Sequence, residues 1–150
     1  ITELKTRSIG IKINYKEPTN DILIDGRFNL LTHAIRNILQ NSQESLIECR
    51  KKDKSFSGVI DVELSETEDH ICLEITDNGK GVSEENMHKI FDPLFTTKDP
   101  ETNSGLGLTL ALQIVGEHNG TINVSTSKDK KLSLKVRFFK SEVQSGPSEF

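Results

Sequence analysis

Between residues 27 and about 51 the chain carries one long helical pattern, and only one side of it is apolar. Leu31, Ile35, Ile38, Leu39 and Leu46 fall on that side at helical spacing. A helix this long with a single apolar stripe has to lie on a second apolar surface. The rest of the sequence offers that surface in runs of period two. Residues 9–15, "IGIKINY", alternate apolar and polar, and "DILIDG" predicts a second short strand with a turn. "VIDVELSETEDHICLEITDNG" predicts a hairpin with strands at 59–64 and 71–76. "TINVSTS" and "LSLKVRFF" predict a closing strand pair across a Lys/Asp-rich turn. "SEENMHKIF" predicts a short helix capped by Ser83, with Glu84 and Glu85 in its first turn. Residues 92–104 are polar with two prolines and cannot hold a regular element for long, whereas "GLGLTLALQIVGEHNG" predicts a glycine-led helix ended by Asn119-Gly120. The order predicts an α/β fold, an α+β two-layer sandwich whose mixed sheet is covered on one face by about three helices.

A chain of 150 residues suffices for one domain with a real core, placed here at residues 1–140, with 141–150 ("SEVQSGPSEF") as a flexible tail. The abrupt start suggests a domain taken from a longer chain. The net charge of −4 gives no general case for nucleic acid or an anionic membrane as partner. No apolar run is long enough to span a bilayer. Cys49 and Cys72 form neither a CxxC nor a metal-ligand spacing and fit reduced thiols, hence a cytoplasmic setting.

The helix holds an anomaly. Asn37 and Asn41 are four residues apart, and with Glu44 and Glu48 they make a polar stripe that borders the apolar face. Asparagine is a poor helix-interior residue. Either Asn alone fits a solvated edge. Together they also suit a hard cation such as Mg²⁺, because an amide oxygen can ligate it without adding a negative charge that repels phosphate.

Two glycine stretches follow. "ITDNGKGV" sets Asp77 at a strand end, followed by Gly79 and Gly81. An ordinary turn accounts for Asp-Asn-Gly alone. A second glycine lets backbone approach a ligand closely, and a carboxylate there can accept a hydrogen bond from an exocyclic amine such as that of adenine. "TNSGLGLTLALQIV" places Gly105 and Gly107 at a helix start, where N–H groups and the dipole favour phosphate. A tight loop-to-helix junction explains them equally well. The stretch is neither a P-loop nor a dinucleotide fingerprint. Between the two lies "IFDPLFTTK". Its Phe91 and Phe95 read as core or as a latch under a mobile loop, and its Lys98 as solvated or as a phosphate contact.

In this order the stretches resemble the catalytic ATP-binding domain of sensor histidine kinases, in the superfamily that also holds DNA gyrase, the Hsp90 chaperones and the MutL repair proteins. "NILQNSQES" is similar to the asparagine box, "DNGKGV" to the first glycine box, "FDPLFTTK" to the phenylalanine box and "SGLGLTLA" to the second glycine box. The likeness runs over residues 9–139, and "FTTK" resembles the nitrogen-regulator type. It implies ATP and Mg²⁺ as cofactors, with Asn41 on the metal and Asn37 supporting metal or phosphates. It further implies Asp77 on the adenine amine, Gly79 and Gly81 in the pocket wall, and Lys98 at the γ-phosphate. Residues 92–104 would form a lid, and Ser104, Gly105, Leu106, Gly107 and Leu108 would meet the phosphates. The implied partners are a histidine-bearing dimerisation domain of the same parent chain and, downstream, a response regulator. The isolated domain would be monomeric and its parent, membrane-bound or not, a homodimer.

One position separates members of the superfamily. Hydrolysing relatives carry a glutamate one turn before the metal-binding asparagine, and Asn37 stands there. An amide cannot serve as base for water, which favours kinase over ATPase. Two positions depart from the pattern: Asn103 replaces a glycine, and "DKKLSLKV" lacks the Gly-Thr that often precedes the last strand. His33, His70, His88 and His118 lie in no phosphoacceptor segment, so the target histidine would come from elsewhere. The alternatives are a degenerate nucleotide-binding signalling module and a serine or other protein kinase of the same superfamily.

Overall fold

The computed structural model describes residues 10–16, 18, 21–97, 104–127, 129 and 131–140. The chain runs β1 (Ile11–Lys16), α1 (Phe28–Lys52), β2 (Gly58–Glu66), β3 (His70–Asp77), α2 (Glu84–Met87), α3 (Gly107–Glu117), β4 (Gly120–Thr126) and β5 (Leu132–Phe139). The five strands form one sheet in the order β1-β2-β3-β5-β4. β1 and β2 are parallel, with α1 as the crossover between them, and every other pairing is antiparallel. The mixed sheet and its one-sided helical cover are the architecture that the sequence pattern predicts.

The helical layer lies on the face carrying Ile60, Val62, Leu73, Ile75, Leu134 and Val136, all buried. α1 presents Leu31, Ala34, Ile38, Leu39 and Leu46 to this face, and α3 presents Ala111, Ile114 and Val115. The other face of the sheet is polar and tied by cross-strand pairs. Asn14 Nδ2 donates to Asp61 Oδ1 at 2.7 Å, and Ser133 Oγ donates to Glu74 Oε1 at 2.7 Å. The Ser133 hydroxyl, more than the neighbouring Lys135, holds the Glu74 carboxyl below the usual range.

The helix ends are fixed by tertiary contacts rather than local caps. Arg27, at the N-cap of α1, makes no side-chain cap, and its backbone N–H donates to His118 Nε2 at 3.1 Å. His118 Nδ1 lies 2.7 Å from the Ile114 carbonyl, and Arg27 meets Glu117 at 2.6 Å. The start of α1 is thereby clamped to the end of α3, and His118 has a structural role. Asn119 takes the left-handed conformation (φ 53°) that ends α3, as the Asn-Gly pair predicts.

Two expectations are corrected. "DILIDG" forms no strand. Leu23 and Ile24 are 87% and 41% exposed, and alternation without a neighbouring strand has nothing to hydrogen-bond. The helix expected over "SEENMHKIF" is a single turn, and Ser83 makes no side-chain cap. After Met87 the chain turns repeatedly so that Ile90 enters the core, and it reaches Leu94 at φ 65°. No helix among the described residues is long and apolar enough to cross a membrane. The expected tail at 141–150 lies outside the described residues.

Candidate nucleotide site

One cleft of about 480 Å³ opens between α1, the loop after β3 and the start of α3. That volume suits a small-molecule ligand. α1 lines it with Asn37, Gln40, Asn41, Glu44 and Ser45. The β3–α2 loop contributes Lys80, Gly81, Val82 and Ser83, and the segment before α3 contributes Ser104, Gly105, Gly107 and Leu108. Phe95, Thr96 and Thr97 close one side. Thus stretches separated by up to about 95 residues in sequence, from Asn37 to Leu132, face one space.

Asp77 and Gly79, both expected at the site, are not themselves among the residues that line the cleft. Asp77 ends β3 opposite Leu132, which itself lines the cleft, and is 1% exposed. Its Oδ1 accepts the Gly79 N–H at 2.9 Å, which draws the loop back over the carboxylate. Asn78 holds the same turn to β2. Its Oδ1 accepts the Val59 N–H at 2.7 Å, and its Nδ2 donates to the Ser57 carbonyl at 3.0 Å. The loop that carries the glycines is therefore fastened at both ends of its first turn.

The glycines are there for different reasons. A Cβ on Gly79 would run into Ser45 Oγ and lie 2.8 Å from Asp77 Oδ1, so packing of the loop onto α1 demands glycine. Gly105 sits at φ +66°, and a Cβ there would come within 2.6 Å of the Leu94 backbone. It is locked to the preceding segment, since Leu94 N donates to the Gly105 carbonyl at 3.1 Å. Gly107 differs from both. A Cβ there would meet nothing closer than Asn37 Cβ at 3.9 Å, an ordinary contact. Nothing among the described residues forbids a side chain at Gly107, and its absence leaves space in the cleft beside Asn37.

Asn37 supplies a second sign of a ligand. Its Nδ2 is buried and has no hydrogen-bond partner among the described residues. A buried donor left unmade costs about 1–3 kcal/mol. Asn37 lines the cleft and its Cβ and Cγ are the atoms nearest to Gly107, so an acceptor brought beside its amide, such as a phosphate oxygen, fits these residues. Gly107→Ala is therefore expected to leave thermal stability unchanged or raise it by up to about 1 kcal/mol, because alanine is the better helix former. ADP affinity should fall at least about tenfold, since the methyl takes ligand space. Thermal unfolding and calorimetric titration read the two effects separately, and unchanged affinity would show that the space is not used.

Leu106, expected in the phosphate-facing group, stands outside the cleft lining and is 45% exposed. It acts through its backbone, its carbonyl accepting the Leu110 N–H at 2.9 Å. Lys98 and Asn103 lie outside the described residues, as do residues 98–103 of the lid expected over 92–104. Phe91 and Phe95 pack against the core cluster, and Thr109 Oγ1 fixes the Phe91 carbonyl at 3.0 Å. The missing Gly-Thr before the last strand does not disturb pairing: Ser127 N donates to the Lys131 carbonyl at 3.0 Å, and β5 begins in register at Leu132.

Sequence reasoning missed Ser45 and Lys80. Ser45 continues the spacing of four from Asn37 and Asn41, so the signal was present. Lys80 Nζ binds Glu48 Oε2 at 2.8 Å across 32 residues, and no local pattern announces that pair.

Residues 26–142 match the family described as "Histidine kinase-, DNA gyrase B-, and HSP90-like ATPase". Sporulation kinase A of Bacillus subtilis is 29% identical over 137 residues, which are 91% of this chain and 21% of that protein. Sensor histidine kinase ZraS of Escherichia coli K12 is 30% identical over 128 residues, 85% of this chain and 25% of that protein. The chain thus spans a quarter or less of these relatives' lengths. Among solved structures, the catalytic domain of histidine kinase ThkA superposes with a TM-score of 0.76 at 21% identity, over 91% of this chain and 83% of that one, a likeness of fold.

Proposed function

The chain belongs to the histidine kinase-, DNA gyrase B- and HSP90-like ATPase family, and on that premise we propose that it is the ATP-binding catalytic domain of a sensor histidine kinase. Its task would be to donate the γ-phosphoryl group of ATP to a histidine on a dimerisation domain of its parent, which would pass it to a response-regulator aspartate. The observation that carries the nucleotide reading is the cleft-lining Asn37, whose Nδ2 is buried without a partner among the described residues and whose Cβ and Cγ are the atoms nearest to Gly107. Curated relatives named sporulation kinase and sensor histidine kinase support the kinase reading.

ATP supplies the phosphoryl group, and Mg²⁺ neutralises charge on the phosphates. Each group of this chain then has a positioning role. Asp77, backed by the Gly79 N–H, would accept the adenine amine. Asn37 would donate to a phosphate oxygen, and Asn41, one turn on, would offer its carbonyl oxygen to the cation. The first turn of α3 would direct N–H groups at the phosphates. Asn37 cannot take a proton, so the place one turn before Asn41 provides no base for water. A site that orients and neutralises suits transfer to a positioned imidazole better than hydrolysis.

The test is transfer in trans. Purified chain, γ-labelled ATP and a histidine-bearing helical domain from a sensor kinase should yield acid-labile, alkali-stable label on that domain, dependent on Mg²⁺. Saturable ADP binding without transfer to any such domain would leave a nucleotide-binding module. Absence of ADP binding at millimolar concentration would reject the nucleotide reading itself.

A further inference from the structure

We infer that the Lys80–Glu48 ion pair seats the far half of the first glycine loop on α1, so that Glu48 acts on nucleotide affinity through Lys80. The inference rests on the nucleotide reading and gives a positioning role to two residues which that reading leaves without one.

The loop after β3 is held in two parts. Asn78 ties its first turn to β2, accepting the Val59 N–H and donating to the Ser57 carbonyl. Beyond that turn the loop lies on α1. Gly79 sits where a Cβ would run into Ser45 Oγ. Lys80, the next residue, donates from Nζ to Glu48 Oε2 at 2.8 Å. Ser45 and Glu48 are three apart and so lie on one face of α1. One and two turns before Ser45 stand Asn41 and Asn37, and all three line the cleft. One helix therefore carries both the amides proposed to face phosphate and the seat of the loop. The seat fixes the gap between them.

The part of the loop to be seated is the cleft wall itself, Lys80, Gly81, Val82 and Ser83. Gly81 stands at φ 68°, a conformation open chiefly to glycine, which restrains the chain least. Val82 packs against the core on one side of it, and the Lys80–Glu48 pair anchors the other. Glu48 is not among the residues that line the cleft, and this separates positioning from charge. Taken as charge alone, removing a carboxylate near a polyphosphate should tighten ADP. If the pair seats the wall, removing it should weaken ADP, because less of the protein has its wall in place. The two readings give opposite signs for one substitution.

The experiment titrates wild type, Glu48→Gln, Lys80→Met, the double variant and Lys80→Arg with ADP in a calorimeter. Adenosine is read by its competition with ADP, and thermal unfolding checks the fold. Glu48→Gln and Lys80→Met should each weaken ADP and adenosine by the same factor, about two- to fivefold. The shared factor is the signature of positioning, since adenosine carries no phosphate. The double variant should bind no more weakly than either single one, and Lys80→Arg, which keeps the charge, should retain wild-type affinity. Tighter ADP with unchanged adenosine in Glu48→Gln would overturn the inference by showing that the pair acts on phosphate as charge. A loss confined to Lys80→Met would overturn it by making Lys80 a direct ligand contact. No change in any variant would overturn it by leaving a surface ion pair. These three outcomes keep the nucleotide reading intact, whereas wild type that binds no ADP would overturn the two together.

Discussion

Asn41→Ala is expected to reduce ADP affinity in Mg²⁺ to the value that wild type shows in EDTA. The substitution removes the amide oxygen offered to the cation and leaves the helix that carries it. Asn41 sits in the middle of α1, where alanine is the stronger helix former, and it is only half-buried. The fold should therefore survive, and thermal unfolding would confirm it. With the metal ligand gone, the cation bridges nucleotide to protein poorly, and a loss of about 100-fold corresponds to about 2.7 kcal/mol. The measurement is a pair of calorimetric titrations, with Mg²⁺ and with EDTA, for each protein. An unchanged affinity in Mg²⁺ would refute the metal role of Asn41.

The sequence made some of this legible and hid the rest for physical reasons. α1, β2, β3 and β5 were readable because each buries one face, and burial imposes a period on the residues themselves. "DILIDG" has the alternation of a strand but no partner, and pairing is a property of the sheet, not of six residues. "SEENMHKIF" has the acidic start of a helix, yet burial of Ile90 and the left-handed Leu94 turn the chain away after one turn. Tertiary demand overrode local propensity there.

At the site, Asn37 and Asn41 were visible because spacing by four places them on one face of a helix that could be recognised. The glycines were visible only as glycines. Gly79 is required by Ser45 and Asp77, and Gly105 by the Leu94 backbone, while a Cβ at Gly107 would make only ordinary contact with Asn37 among the described residues. Sequence shows the same letter in all three cases. Only geometry distinguishes the glycines that packing requires from the one that packing among the described residues does not. The Lys80–Glu48 pair was hidden in the same way, since a contact across 32 residues exists only after the first glycine loop has folded onto α1.

Asp77→Asn is expected to convert a preference for adenine into indifference or a weak preference for guanine. The side chain is the same size and, at 1% exposure, has little freedom to move. The amide oxygen can keep the bond from the Gly79 N–H that Oδ1 now accepts at 2.9 Å. The amide nitrogen would then replace the second carboxylate oxygen, turning an acceptor into a donor. Adenine presents an amine at its 6-position and would face it donor to donor. Guanine presents a carbonyl there and would face it donor to acceptor. A hydrogen bond to a charged group contributes about 1.5–3 kcal/mol, so ADP affinity should fall by about 10- to 100-fold, with the higher value favoured by burial. GDP affinity should hold or rise. Titrating wild type and variant with both nucleotides in Mg²⁺ gives the comparison directly, and thermal unfolding checks that the loop still closes over residue 77. Equal losses for ADP and GDP would mean that Asp77 supports the loop without reading the base. A selective loss of ADP would locate adenine recognition at the end of β3, about 40 residues in sequence from the asparagines proposed to face its phosphates.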